Sequence, residues 1–245
     1  MAPIAPGAGV DLVYAEHGAG PPAVLVHDLA GDHAELEPIA RELADVARVI
    51  TYSRRGYGGS TAPEPYAGTT VMEQAEDLAT LLRRLGISGA VGAGDGFGAL
   101  VVLDLVRRHP GVITAAALRD PPLLAFAPDG ARALSDEHAQ LAAAVTEGGP
   151  AAGVEAWLAA RPGRSGGART PDANRAFFAD YAGLASWPAT RRDLRSIAVP
   201  VAIVTGPVTP PHILASAEAL ADLVPDARRS VDGDLGAATR ALLVD

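Results

Sequence analysis

The strongest constraint on this chain is a repeated beat: a short apolar run, a segment with helical spacing, then another apolar run. Fully buried parallel strands read as continuous apolar runs, whereas apolar residues at i, i+3, i+4 and i+7 mark an amphipathic helix. Val10 to Ala15 reads as a first strand, closed by the turn His17-Gly18-Ala19-Gly20-Pro21-Pro22. Ala23 to Val26 is a buried run, and Glu35 to Leu43 follows with Leu36, Ile39, Ala40 and Leu43 on one face. Arg48 to Tyr52 reads as a strand, Ser53 to Pro65 as a Gly/Pro-rich loop, and Met72 to Leu85 as a helix stopped by Gly86. Ala90 to Ala93, Phe97 to Arg108 and Ile113 to Leu118 repeat the strand–helix–strand pattern.

At Asp120 the beat stops. Asp120 to Arg192 holds helical patches without a strand, both Trp residues and three of the four Phe; Arg161 to Gly167 reads as a mobile Gly/Arg loop. The rhythm resumes with a strand at Val201 to Thr205, a helix at Ile213 to Leu223, a strand near Arg228 to Val231 and a short final helix. The expected fold is α/β: a doubly wound, mostly parallel sheet formed by residues 1–120 and 193–245, with a helical cap inserted at 121–192. Ligands of such sheets bind at the carboxyl ends of the strands.

Composition removes several kinds of chemistry. A net charge of -9 over 245 residues is wrong for a phosphate-binding face, so nucleic acid is not an expected partner. No apolar stretch has the length of a membrane span. There is no Cys, hence no disulfide or thiol nucleophile, and no Lys, hence no Schiff base. Met1-Ala2-Pro3-Ile4 carries no charged leader region, which gives a cytoplasmic expectation. Arg-only basicity with a single Asn (Asn174) has the look of a GC-rich genome.

Several segments, in order, carry a resemblance. "PPAVLVHDLAGDHAELEPIARELA", "RVITYSRRGYGGS", "LGISGAVGAGDGFGALVVLDLVRRHP", "DPPLL" and "VPVAIVTGPVTPP" are similar to successive strand and loop units of the α/β-hydrolase fold superfamily. The resemblance covers nearly the whole chain. It implies a nucleophile at a strained strand-to-helix turn, an acid, a His base and two backbone N–H donors.

The turn can be read with its tip at Gly94, Asp95 or Gly96. Only the Gly96 register puts small residues at every crowded position and keeps the family's distance to His109-Pro110. Gly96 then stands where the resemblance expects serine. Asp95 is the alternative, since some relatives use an Asp nucleophile. The acid position falls on Thr209, with Asp120 as a relocated alternative, and the His position falls on Asp234, since no His follows His212. Asp232 and Asp234 read as a solvated turn sooner than a metal site, so no metal and no cofactor are expected.

The oxyanion loop carries His27-Asp28, and the implied N–H donors are Leu29 and Phe97. His27 reads as a brace; Arg54 and Arg55 read as braces of their loop. Asp28 would oppose an oxyanion unless it points away. Candidates for proton transfer are Asp28 and Asp95, then His33, with Asp32, His212 and Asp234 behind them. Phe97, Phe126, Trp157, Phe177, Phe178, Tyr181 and Trp187 are candidate walls of an apolar pocket, or else glue between cap and core.

These readings favour a non-hydrolytic enzyme of lyase or cyclase type. It would act on a small, mostly apolar, carbonyl-bearing metabolite in bacterial natural-product biosynthesis, because relatives of the fold include lyases, cyclases and cofactor-free oxygenases. The alternatives are a catalytically inactive ligand- or partner-binding pseudoenzyme and a hydrolase with relocated residues. The expected partner is a small molecule; the oligomeric state stays open.

Overall fold

The computed structural model describes residues 2–164 and 166–244. Eight strands form one sheet: β1 Ile4–Pro6, β2 Asp11–His17, β3 Pro22–Val26, β4 Arg48–Tyr52, β5 Ala90–Asp95, β6 Ile113–Arg119, β7 Val201–Val204 and β8 Ala227–Ser230, in the order β1-β2-β4-β3-β5-β6-β7-β8. β1 and β2 pair antiparallel, as do β2 and β4, and every later neighbour is parallel. The first strand expected from sequence is thus the second of the sheet. β1 has three residues, too few to show a period, and only its pairing with Asp11 to Val13 makes it a strand. Its Pro6 is tolerated because β1 is an edge.

The helices are α1 Glu37–Leu43, α2 Val71–Arg84, α3 Phe97–Arg108, α4 Gly130–Ala159, α5 Pro171–Gly183, α6 Arg191–Arg195, α7 Pro211–Leu223 and α8 Leu235–Val244. The expected helix at Glu35 splits, because a 3-10 turn over His33–Leu36, capped by Asp32, precedes α1. α2 starts at a reciprocal Thr70–Glu73 capping box, which satisfies orphan N–H groups at its N-terminus. α3 is buried along nearly its whole length, between α2 and the sheet. The two sheet faces hold separate cores. Val24, Val26, Leu78 and Leu105 belong to one, and Leu25, Leu36, Ala93 and Leu235 to the other. The insertion between β6 and β7 carries α4, α5 and α6; α4 kinks at Gly149 (φ 78°) ahead of Pro150. No described helix is long and apolar enough to cross a membrane.

One fully buried guanidinium ties this insertion to the core. Arg54, in the loop after β4, donates to Asp180 of α5 at 2.5 Å and to Gln74 of α2 at 2.7 Å. It also donates to the carbonyls of His27 at 3.2 Å and Asp28 at 3.1 Å. Gln74 and Tyr57 donate in turn to Asp180, so both carboxylate oxygens are engaged. Breaking a buried pair leaves an uncompensated charge. Asp180→Ala is expected to lower unfolding free energy by about 3–5 kcal/mol, read from urea titration. A loss below about 1 kcal/mol would show that the cap is held elsewhere.

Candidate functional site

The site is built where β3, β5, β6 and β7 end. β5 runs to Asp95, Gly96 takes φ 51° and ψ -116°, and α3 starts at Phe97. That backbone region strongly favours glycine. Around the turn the chain is crowded: a Cβ on Gly98 would collide with the carbonyl oxygen of Val26, and one on Gly94 would lie 2.6 Å from Ala99 N. The sharp turn at Gly96 is therefore dictated by glycines on both sides.

The loop after β3 meets this turn. His27 is fully buried; its Nδ1–H donates to the Asp28 carbonyl at 2.7 Å and its Nε2 accepts from Arg54 N–H at 2.9 Å. Burial and the neighbouring Arg54 charge push its pKa well below the usual histidine range, so it is neutral. His27 is a brace. Asp28 points inward. One of its carboxylate oxygens accepts from Phe97 N–H at 2.7 Å, and the other accepts from Arg164 at 2.6 Å.

Arg164, in the segment between α4 and α5, joins three carboxylates. Besides Asp28 it donates to both oxygens of Asp95 at 3.0 Å and to Asp120 at 3.2 Å. Arg119 donates to Asp95 at 2.5 Å. Burial alone would raise the Asp95 pKa, but the Arg164 and Arg119 charges outweigh it and pull the carboxyl down to about 2. Asp120, at φ 49° just after β6, accepts from Thr209 at 2.6 Å; burial outweighs these partners and raises its pKa. Thr209 Oγ1 accepts from Gly206 N–H at 2.8 Å.

Above this floor lies a cavity of about 240 Å³. Leu29, Phe97, Trp157, Leu184 and Ile213 supply apolar wall; Asp28, Arg119, Asp120, Glu137, Arg161, Arg164, Thr209 and His212 supply polar wall. Glu137 and Arg161 form an ion pair, and the Arg161 guanidinium lies 3.9 Å from the Trp157 ring centroid. Burial lowers the pKa of His212, with Arg161 adding to the effect and Glu137 opposing it.

The structure separates the residues singled out from sequence. Asp28, Leu29, Gly96, Phe97, Trp157 and Thr209 line the cavity. Asp95 lies behind its floor, committed to two arginines, and is not a wall residue. His33 pairs with Ser53 Oγ at 2.7 Å, away from the cavity, because the 3-10 turn directs it toward the loop after β4. Asp234 is exposed and accepts from Ala237 N–H at 2.8 Å as the cap of α8. Asp232 accepts from Ser230 and from Asp234 N–H. No group of three or more His, Asp or Glu suited to a metal ion occurs among the described residues.

Phe177, Phe178 and Tyr181 are glue. Phe177 packs edge-on to Trp157 and Phe178 and stacks on Tyr181, because α5 turns this face toward the core. Phe126 and Trp187 line a separate apolar cavity of about 190 Å³, with Trp187 donating to Asp104 at 2.9 Å. Glu137, Arg119, Arg161 and Arg164 were not anticipated in the site. Arg161 and Arg164 belong to the segment expected to be mobile, yet both are anchored by ion pairs; Ser165 lies outside the described residues. An Arg-rich segment beside an acidic floor was the available signal.

A mostly parallel sheet, a strained turn between β5 and α3, and loops from β3, β6 and β7 converging under a helical insertion define an α/β architecture with a cleft at the carboxyl ends of the strands. The chain belongs to the α/β hydrolase fold family, which residues 21–236 match. It is 34% identical over 116 residues to the uncharacterized hydrolase YraK of Bacillus subtilis, a stretch spanning 47% of this chain and 43% of that protein. An α/β hydrolase from Sphaerobacter thermophilus superimposes with a TM-score of 0.70 at 24% identity, covering 99% of this chain and 100% of that one. A thermophilic esterase from Thermogutta terrifontis gives 0.76 at 22% identity, covering 100% and 95%. At these identities the two structures establish the fold alone.

The Asp95 pairing has a pH signature. A carboxyl whose pKa is depressed on folding stabilises the protein above its unfolded value, near 4, and loses that contribution as pH falls toward about 2. The stability gap between wild type and Asp95→Asn is therefore expected to narrow as pH drops from about 4 to about 2 in guanidinium titrations. A gap independent of pH would mean that the two arginines do not hold Asp95 ionised.

Proposed function

We propose that this member of the α/β-hydrolase family holds a small, mostly apolar molecule in its cavity and does not perform serine-type ester hydrolysis. The observation that carries this reading is the Asp28 carboxylate hydrogen-bonded to Phe97 N–H, directly beside Gly96. Acyl transfer needs backbone donors free to receive the negative charge that develops on the substrate oxygen. Here a fixed carboxylate holds that donor, and like charge in a buried site repels strongly. Gly96 has no side chain with which to attack. Under the same reading, Thr209 and Asp234 stand at the family's acid and His positions, and neither can supply a base charged as a His–Asp pair would be.

A second reading is hydrolysis by relocated residues. It is favoured by the Thr209–Asp120 hydrogen bond on the cavity wall and by structural neighbours that are esterases and hydrolases. A lyase or cyclase role in natural-product biosynthesis gains no support from these neighbours and is not carried forward.

The readings separate on p-nitrophenyl acetate and butyrate. The proposed function predicts nitrophenol release at the uncatalysed rate, together with saturable quenching of tryptophan fluorescence by hexanamide in Trp187→Phe, where Trp157 alone reports. Release clearly above the blank, and lost in Thr209→Val, would establish the second reading instead.

A further inference from the structure

We propose that Asp28 sets the ligand polarity of this cavity, so that its floor selects an ammonium or hydroxyl donor and rejects a carboxylate or ester group of the same size. The inference rests on the cavity being a small-molecule site, and three observations carry it.

The first is volume. A Cβ built on Gly96 would overlap both carboxylate oxygens of Asp28. Asp28 therefore fills the space in which a side chain at the tip of the turn, or a ligand group approaching it, would sit. Gly96 and Asp28 are a matched pair: the absence of one side chain makes room for the other.

The second is hydrogen-bonding capacity. The Phe97 N–H, which would receive an acyl oxygen, is taken by Asp28. Each guanidinium is paired with a carboxylate: Arg164 with Asp28, Asp95 and Asp120, Arg119 with Asp95 through one Nη, and Arg161 with Glu137, Arg161 also donating to the Trp157 carbonyl. A carboxylate has about four acceptor sites. Asp28 has one partner on each oxygen, and so does Asp120. Asp28 and Asp120 therefore keep acceptor lone pairs open, beside the Leu29 N–H and the remaining Arg119 donors, for which no acceptor is found among the described residues.

The third is charge. Four carboxyl groups, those of Asp28, Asp95, Asp120 and Glu137, are paired with three guanidiniums, those of Arg119, Arg161 and Arg164. A ligand anion would be desolvated against a floor whose described guanidiniums are each already paired with a carboxylate, whereas an ammonium would meet open acceptors. Apolar walls from Leu29, Trp157, Leu184 and Ile213 suit a short hydrocarbon body behind that donor.

The test uses an isosteric pair, butylammonium and butyrate, titrated calorimetrically into wild type, Asp28→Asn and Asp28→Gly. Wild type is expected to bind butylammonium at least about tenfold more tightly than butyrate, the scale of one charge-assisted hydrogen bond. Asp28→Gly frees the Phe97 N–H and one Arg164 donor, so the preference is expected to invert. Asp28→Asn keeps the shape and removes the charge, so the preference for butylammonium is expected to vanish even should the Gly variant fold poorly. Equal binding of the two probes by wild type, or a preference unchanged in Asp28→Asn, overturns the role of Asp28 while leaving the cavity a binding site. Binding of neither probe by any of the three proteins overturns this inference and removes small charged ligands from the proposed function as well.

Discussion

The arrangement depends on Arg54. Its guanidinium is fully buried, and burying a charge is tolerable only where partners surround it. Those partners come from separate parts of the chain: carbonyls of His27 and Asp28, Gln74 on α2 and Asp180 on α5. The same group lies over the rings of Phe97 and Tyr57, 4.7 and 5.0 Å from their centroids. One cation thus holds the loop after β3, the start of α3 and the inserted helices in a single geometry. Because it pins the carbonyl of Asp28, it leaves the Asp28 side chain directed at the turn.

Asp28 and Arg164 then decide what that turn can do. The backbone at Gly96 makes a tight strand-to-helix turn, and Phe97 N–H is directed at Asp28 from the start of α3. Its acceptor is supplied by the protein itself. Arg164 crosses from the inserted segment to balance Asp28, Asp95 and Asp120, and in doing so closes the underside of the cavity. Preorganised donors stabilise a transition state because they wait unoccupied in a dry site. A donor already satisfied by a buried carboxylate has no such capacity, and this physical point underlies both the proposed function and the proposed ligand polarity.

Local crowding was legible in the residues. Small residues around Gly96, with the family's distance to His109-Pro110, favoured one register for the turn, and the structure places neighbours too close for side chains at Gly94, Gly96 and Gly98. The alternation of apolar runs and helical segments led to the sheet and its helices, apart from β1, whose three residues carry no period. The aromatic residues of the insertion were less informative. Phe177 and Phe178 proved to be packing and Trp157 a cavity wall, because composition places an aromatic in a region without saying which way its helix face turns. Asp95 and Asp28 looked alike as buried acids beside the turn, yet one lies behind the floor and the other forms it.

The sequence by itself determined the α/β alternation, the glycine turn, the interruption at Asp120 and the absence of cysteine and lysine chemistry. The alternation and its interruption follow from periodicity over neighbouring positions, the missing chemistry from composition, and the place of the glycine turn from the resemblance to the α/β-hydrolase fold. The tertiary structure alone decided where the charges go. Arg164 is 136 residues from Asp28 and 69 from Asp95, and Arg54 is 126 from Asp180. Buried ions acquire partners only when the fold brings distant segments together, and no local pattern encodes which acid each arginine will meet.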